Sequence, residues 1–189
     1  MDVSEALPPE LHVVAPTPHV PNSKLPVMLY RKAFLKVSYD EMIKVIEGNG
    51  WAKGSHWGVY PTAHFHSNSH ECYAIIRGKG TYVLGKSPID NDVGGDGEKI
   101  GRDLLVEQGD IVVLPAGVSH AVIAPEEDWE VVTFYPEGSP QWDMNFCKDG
   151  PEETAQKSRD CSNVPIPPKD PVFGIAGPLP EVWKNVSMQ

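Results

Sequence analysis

The sequence predicts an all-β protein, built as one sandwich or barrel with one short helix before it and proline-rich arms at both ends. Short apolar runs separated by turn residues follow one another from about residue 57 to 136. A helical period appears once, at about residues 38–48, and prolines are dense in residues 1–27 and again after residue 136. At 189 residues the chain has the length of one domain with long arms.

The composition narrows the classes of partner. The formal net charge is −10, whereas nucleic acids and anionic membranes usually require a basic face, so we expect neither as a partner. The amino terminus is acidic, and no stretch reaches the roughly 18 apolar residues of a spanning helix, so we expect a cytoplasmic protein. Three irregularly spaced cysteines indicate reduced thiols: Cys72, Cys147 and Cys161.

The first elements follow from local signals. Residues 1–24 predict an extended arm, and the apolar run 25–30 predicts an edge strand that begins at Pro26. Ser38 and Glu41 fit a capping box, an apolar stripe follows, and glycines at 48 and 50 end the helix, which we expect outside the barrel.

The barrel is predicted over residues 25–136, with a carboxy-terminal extension of residues 137–189 packed on it and Trp183 as its anchor. The strands are predicted at residues 57–66, 71–77, 80–85, 100–107, 110–115, 119–124 and 129–135. Residues 77–80 predict a tight hairpin turn. Residues 86–99 are rich in Gly, Asp and Asn and predict a mobile loop.

Four side chains predict a metal site. His64 and His66 stand two residues apart, so on a strand both imidazoles share one face. Glu71 follows after a turn that can return its carboxylate to the same point, and His120 follows a Pro-x-Gly turn. Three imidazoles and one carboxylate suit a divalent first-row transition ion.

The spacing of these residues resembles the two sequence motifs of the cupin superfamily. The first motif spans Gly58 to Gly78 around the ligands named above, and the second runs from Gly109 through Pro115-x-Gly117 to His120. Nine of the ten specified positions match, and the exception is Ala124, where the family has asparagine. The residues from Leu25 to Tyr30 and several later segments resemble the small single-domain cupins called YjlB-like: the HSNSHE run from His66, the GDIVVLPAGVSH run of residues 109–120, residues 135–138, residues 141–143, residues 170–174 and residues 177–179.

The resemblance implies a double-stranded β-helix, or jelly roll, with His64, His66, Glu71 and His120 as ligands of one divalent transition ion per chain. Fe(II) is favoured, with Mn, Ni, Cu or Zn as alternatives. It also implies a homodimer, since cupins commonly pair through sheet edges and exchanged arms. The opposing interpretation is that these are ordinary surface or core histidines of a barrel that has lost its metal.

His70 leaves the ligand set open. It adjoins Glu71 and could replace it, which would give an all-histidine site like that of thiol dioxygenases. Glu71 alone fits the six-residue spacing to Gly78 and is preferred. His70 is then expected to point outward, as a second-shell or surface group.

Strand parity selects the side chains of the substrate pocket. Tyr60 and Thr62 share the face of His64, and Val122 shares that of His120. Tyr73 and Ile75 share the face of Glu71, so Tyr73 is a candidate catalytic residue that could hydrogen-bond to a bound substrate. The alternative is a tyrosine that only fills the core.

These residues suggest a metal-dependent enzyme acting on a small anionic or chelating substrate. The leading hypothesis is an oxidoreductase, an Fe(II)-dependent dioxygenase. The second is an isomerase, lyase or decarboxylase that uses the ion as a Lewis acid. The third, from another class, is a non-catalytic binding barrel.

Overall fold

A computed structural model describes residues 8–95 and 97–188, so residues 1–7 of the predicted arm and Asp96 of the predicted mobile loop lie outside the described residues. In chain order the elements are β1 (Glu10–His12), β2 (Val27–Tyr30), α1 (Tyr39–Gly48), β3 (Trp51–Trp57), β4 (Glu71–Arg77), β5 (Lys79–Leu84), β6 (Arg102–Glu107), β7 (Ile111–Leu114), β8 (His120–Ile123), β9 (Glu130–Pro136), α2 (Pro151–Ser162) and α3 (Leu179–Ser187). None of the helices within the described ranges is long and apolar enough to cross a membrane.

The strands form two antiparallel sheets. The larger sheet has the order β1-β2-β7-β4-β9-β3 and the smaller one the order β6-β5-β8. Apolar side chains from both sheets meet in one buried cluster, for example Leu29 and Val112 from the larger sheet with Leu84 and Val106 from the smaller. The predicted all-β class is therefore confirmed.

The larger sheet is buried on both faces. On β4, Tyr73 and Ile75 point into the space between the sheets, whereas Cys72 and Ala74 belong to a second cluster on the outer face. Helices α1 and α3 cover that outer face, with Ile46 and Trp183 fully buried. Because both faces are covered, the sequences of the central strands are nearly continuous apolar runs.

Helix α1 confirms its predicted start. The Ser38 hydroxyl accepts a hydrogen bond from the Glu41 amide at 3.4 Å, and the Glu41 carboxylate accepts one from the Ser38 amide at 3.3 Å. The predicted amino-terminal helix is present, and two helices that the sequence analysis did not predict, α2 and α3, form within the carboxy-terminal extension. Burial of Trp183 on α3, whose Nε1 donates to the Pro26 carbonyl at 3.0 Å, holds that helix against the sheet.

Three local predictions were wrong. Strand β3 covers Trp51–Trp57 rather than residues 57–66, since Gly58 and Pro61 interrupt the run and β9 pairs with the earlier segment. Strand β2 is not an edge, because β1, which lies in the predicted arm, pairs with its outer side.

The third error concerns residues 77–80, which form no hairpin. Strand β4 pairs with β7 and β9, whereas β5 pairs with β6 and β8, so the chain passes from one sheet to the other at Gly78. Gly78 has a φ of +74°, and a Cβ there would lie 3.1 Å from the backbone of Trp129. Glycine therefore serves a corner between sheets, where both a positive φ and a close backbone contact exclude a side chain.

Candidate metal centre

The candidate ligands are positioned by backbone pairing between segments distant in sequence. His64 lies outside the named strands, but its amide donates to the His120 carbonyl at 3.2 Å and its own carbonyl accepts from the His120 amide at 2.9 Å. The carbonyl of His66 accepts from the Gly117 amide at 2.8 Å, and Glu71 opens β4. The two motifs are thus joined directly at the site.

Each of the three histidines is oriented by a carbonyl oxygen on its Nδ1. The distances are 2.8 Å from His64 to the Thr62 carbonyl, 2.5 Å from His66 to the Asp143 carbonyl and 3.1 Å from His120 to the Val118 carbonyl. Because a carbonyl only accepts, each Nδ1 must donate its proton, and in a neutral ring the lone pair is then on Nε2.

The side chains converge on one point. One ring nitrogen from each of His64, His66 and His120 lies within 4.8 Å of the others, and all three residues are buried. An oxygen of Glu71, Oε2, is 3.1 Å from Nε2 of His66 and 3.2 Å from Nε2 of His120. The other oxygen, Oε1, accepts a hydrogen bond from the Tyr135 hydroxyl at 2.6 Å.

The electrostatics follow from burial and from this clustering. Burial, together with the nearby His120, lowers the pKa of His64 to about 3. Burial opposes ionisation of His66 as well, but the Glu71 carboxylate outweighs it and raises the His66 pKa. Burial would raise the pKa of Glu71, yet His66 and His120 hold it well below its usual range. Glu71 is therefore a carboxylate at neutral pH.

These residues fit a divalent metal ion. With Nδ1 donating to a carbonyl, a neutral imidazole would direct its Nε2 lone pair toward the Glu71 oxygen 3.1 or 3.2 Å away, and the two would repel. The raised pKa of His66 has the same cause, because a proton on Nε2 relieves this repulsion. A cation between them removes that repulsion. Three imidazole nitrogens and one carboxylate oxygen are donors that first-row transition ions accept. That these four residues bind a metal stays a prediction.

A cavity of about 400 Å³ opens beside the four side chains. It passes between the two sheets and has a predominantly aromatic wall. Its lining comprises Ser55, Trp57, Gly58, Tyr60, His64, His66, Glu71, Tyr73, Tyr82, His120, Val122, Trp129, Val131, Tyr135, Trp142 and Met144.

The predicted pocket residues divide into two groups. Tyr60 and Val122 line the cavity, and the Tyr60 ring packs edge-on against His64 at 4.9 Å. Thr62 is exposed and contributes only its carbonyl to His64, because residues 58–63 are irregular and strand parity does not apply to them. Ile75 is buried in the core between the sheets rather than in the cavity wall.

Tyr73 lies where parity places it. Its hydroxyl is 3.3 Å from Nε2 of His120, and it lines the cavity. Burial raises its pKa well above the usual value, and the Glu71 carboxylate raises it further, so the phenol stays protonated. A catalytic role for it stays a prediction.

His70 faces away from the cluster. Its ring packs against Trp183 with centroids 4.7 Å apart, and its Nδ1 accepts a hydrogen bond from the Ala116 amide at 3.0 Å. It points outward from the site as expected, but it is 1% exposed, so the surface position was wrong. Its direction also contradicts the alternative in which it replaces Glu71.

Four aromatic residues of the wall were missed by the sequence prediction. Tyr82 on β5 and Tyr135 on β9 could have been found by parity, since Leu84 and Val131 on the same strands face the inner core. The predicted strand at residues 129–135 gives Trp129 the same parity as Val131, so it too could have been found, although β9 itself begins at Glu130. Trp142 lies outside the strands, where no period marks the face of a side chain. The Trp142 ring stacks on Tyr135 at 4.1 Å.

The loop that carries Trp142 is also bound to a candidate ligand. The Asp143 carboxylate accepts from the Ser67 amide at 2.7 Å, the Ser67 hydroxyl at 2.6 Å and the Asn145 amide group at 2.8 Å. Its backbone carbonyl meets His66. One loop therefore orients a ligand and supplies a cavity wall.

The fold and the site together define a class: an all-β protein whose two sheets hold a histidine and carboxylate cluster beside an apolar cavity. The chain belongs to the cupin family. The family model described as Cupin matches residues 58–140. The uncharacterized protein YjlB of Bacillus subtilis is 30% identical over 165 residues, covering 87% of this chain and 90% of YjlB.

Solved structures give weaker similarities. The coconut allergen cocosin is 18% identical with a TM-score of 0.34, covering 47% of this chain and 22% of cocosin. Acireductone dioxygenase from Bacillus anthracis, solved with a cadmium ion in its active centre, is 18% identical with a TM-score of 0.34, covering 58% of this chain and 62% of the enzyme. This chain thus spans less than two thirds of either protein.

Proposed function

We propose that this cupin is a metal-dependent enzyme of the oxidoreductase class, dioxygenase-like, that acts on a small anionic or chelating organic molecule. The observation that supports it is the convergence of His64, His66, His120 and Glu71 beside a cavity of about 400 Å³. Clefts of this size that carry a few convergent polar groups are typical small-molecule sites.

The four side chains would hold one divalent ion, Fe(II) by preference. Such an ion would supply Lewis acidity and, as iron, electron exchange with dioxygen. Three neutral imidazoles and one carboxylate leave a net charge of +1 on a divalent ion. The site therefore favours an anionic oxygen donor, and one substrate molecule could bind the ion through two of its atoms.

The chain's own residues have separate tasks. The carbonyls on Nδ1 keep each imidazole in the tautomer that can bind an ion. Tyr135 holds Glu71 through its hydroxyl. Tyr73 places a protonated hydroxyl beside His120, where it can donate a hydrogen bond to an anionic substrate.

Oxygen uptake by the metal-loaded protein, measured with an oxygen electrode, tests the proposal. Protein loaded with Fe(II) under anaerobic conditions is expected to consume oxygen when a suitable chelating substrate is added, whereas Tyr73→Phe binds the ion normally and turns over more slowly. An absence of oxygen uptake with every metal and every chelating substrate tried counts against the dioxygenase.

A second candidate is supported by Tyr73 itself. A buried phenol that stays protonated beside the ligands is also the donor that an isomerase, lyase or decarboxylase needs for an enolate. Turnover under strict anaerobiosis with Zn(II) or Mn(II) would favour this reaction class.

A homodimer remains a prediction, which light scattering tests directly. A measured mass equal to that of a single chain would reject the dimer.

A further inference from the structure

Two residues that line the cavity each carry a buried polar atom that makes no hydrogen bond within the described part of the chain: the Tyr82 hydroxyl and Nε1 of Trp129. Tyr82 is 2% exposed and Trp129 is 4% exposed, and both residues line the cavity. Buried polar groups are nearly always paired in native proteins, so an unpaired pair beside a cavity indicates a group that arrives with a ligand.

The two side chains are neighbours in the cavity wall. Their rings meet edge to face with centroids 6.1 Å apart. The benzo edge of Trp129 packs on Gly80, where a Cβ would lie 3.0 Å from Cζ3, so the edge that carries Nε1 is on the other side of the indole. An indole N–H only donates, and a phenol can donate, so each group can bind an oxygen acceptor.

The charge of the wall restricts that acceptor. No lysine or arginine occurs among the described residues that line the cavity, and Glu71 is the only carboxylate there. A divalent ion bound by the four candidate ligands would have a net charge of +1, which offsets one negative charge on a bound molecule. A second negative charge near Tyr82 and Trp129 would be buried without a partner, which is costly, so the acceptor must be uncharged.

The side chains at the opening of the cavity indicate the shape of the rest of the ligand. Trp57, Tyr60 and Met144 line that opening with large apolar side chains that are 48%, 36% and 39% exposed. Trp142 is held in place by its stacking on Tyr135. Flat aromatic surfaces of this kind favour a planar, unsaturated molecule.

We propose that the cavity selects a planar chelating monoanion that carries an uncharged oxygen acceptor, bound by the Tyr82 hydroxyl and Nε1 of Trp129. This inference rests on the proposed metal site for the chelating end of the molecule. The Tyr82 hydroxyl and Nε1 of Trp129 belong to the chain itself, so their lack of a partner can be tested without an ion.

A matched series of hydroxamates tests the selection. Hydroxamates are chelating monoanions, and benzohydroxamate can carry acetyl, isopropyl or carboxylate groups of nearly equal size at its 3- or 4-position. With Co(II)-loaded protein, titrated by its visible absorption, the better acetyl isomer is expected to bind at least about fivefold more tightly than its isopropyl counterpart. The carboxylate is expected to bind at least about tenfold more weakly than the acetyl compound.

The variant Tyr82→Phe removes only the hydroxyl. It is expected to reduce the ratio of acetyl to isopropyl affinity by about threefold and to leave isopropyl binding unchanged. Trp129→Phe is expected to act in the same direction. Equal affinities for the three substituents at both ring positions, while acetohydroxamate still binds the ion, would overturn the selection and leave the metal site standing.

Thermal unfolding of the metal-free protein provides an independent measurement. Because the Tyr82 hydroxyl has no hydrogen-bond partner among residues 8–95 and 97–188, Tyr82→Phe is expected to keep or raise the melting temperature. The matched control is Tyr30→Phe: the Tyr30 hydroxyl donates to Asp170 at 2.5 Å, so its loss is expected to lower the melting temperature by several degrees. If Tyr82→Phe is as destabilising as the control, the hydroxyl has a structural partner and the proposal fails, whether or not the protein binds metal.

Discussion

Replacing Glu71 by glutamine tests the metal centre most directly. Glutamine keeps the size of the side chain and an oxygen for the Tyr135 hydroxyl, but it removes the negative charge beside His66 and His120. The net charge of a divalent ion on the remaining ligands would rise from +1 to +2 in a buried site.

The expected loss is large. Groups that only orient a metal ligand change affinity by about 10–100-fold when they are removed. Glu71 faces two ring nitrogens at 3.1 and 3.2 Å and would contact the ion itself. We therefore expect Glu71→Gln to weaken metal binding by at least about 100-fold, or about 2.7 kcal/mol.

His70→Ala is the matched control on the neighbouring residue. It deletes a buried ring that packs on Trp183 and accepts from the Ala116 amide, so it should cost about 2–4 kcal/mol of folding stability. Its metal affinity should stay within about threefold of that of the parent protein, since the ring faces away from the site.

Competition against a chromophoric chelator gives the affinities, elemental analysis gives the occupancy, and thermal unfolding of metal-free protein gives the stabilities. Glu71→Gln should lose metal and keep its fold, and His70→Ala should show the reverse. If Glu71→Gln binds the ion within about tenfold of the parent, or folded His70→Ala loses as much metal, the ligand assignment is wrong.

Three further outcomes are expected. Ala124 has a φ of +47°, where alanine is strained, so Ala124→Gly should raise the unfolding free energy by about 1 kcal/mol. Ala121→Gly, inside β8, is the control and should lower the unfolding free energy by a similar amount. If chemical denaturation shows that both substitutions change the unfolding free energy in the same direction, the strain argument is wrong. Asp143→Ala should weaken metal binding by about 10–100-fold, because the loop that orients His66 loses its three side-chain hydrogen bonds; unchanged competition with the chelator would show that the loop holds without them. Burial raises the pKa of two thiols to about 12, so on the order of 10⁻⁴ of each is thiolate at pH 8, and alkylation of native protein should be slow compared with urea-unfolded protein at Cys147 and Cys161. Labelling of the native protein at the rate of free cysteine would refute that protection.

Local signals predicted several elements closely. The capping box at Ser38 and the strand at Glu71–Arg77 lie where the sequence places them, since a cap and an apolar run need only neighbours along the chain. Strand parity correctly placed Tyr73 inside and Cys72 outside. The same parity failed at Thr62, because that segment is not a strand.

The errors share a cause. Whether Gly78 begins a hairpin or a passage between sheets depends on the partners that β4 and β5 find elsewhere. The edge position of β2 depended in the same way on β1, and the burial of His70 depended on Trp183. Each is decided by residues far away in sequence, which no local pattern reports.

The sequence by itself determined the family motifs and the types of donor atom at the candidate site, because residue identity and spacing are properties of the chain alone. Only the tertiary structure decided which way the side chains point and what surrounds them. It turned His70 away and brought Tyr135 to Glu71. It also placed Tyr82 and Trp129 in an aromatic wall where, among the described residues, their polar groups have no hydrogen-bond partner and no lysine or arginine lines the cavity. The physical reason is that hydrogen bonding and desolvation depend on distances in space, and these arise when separate segments pack together.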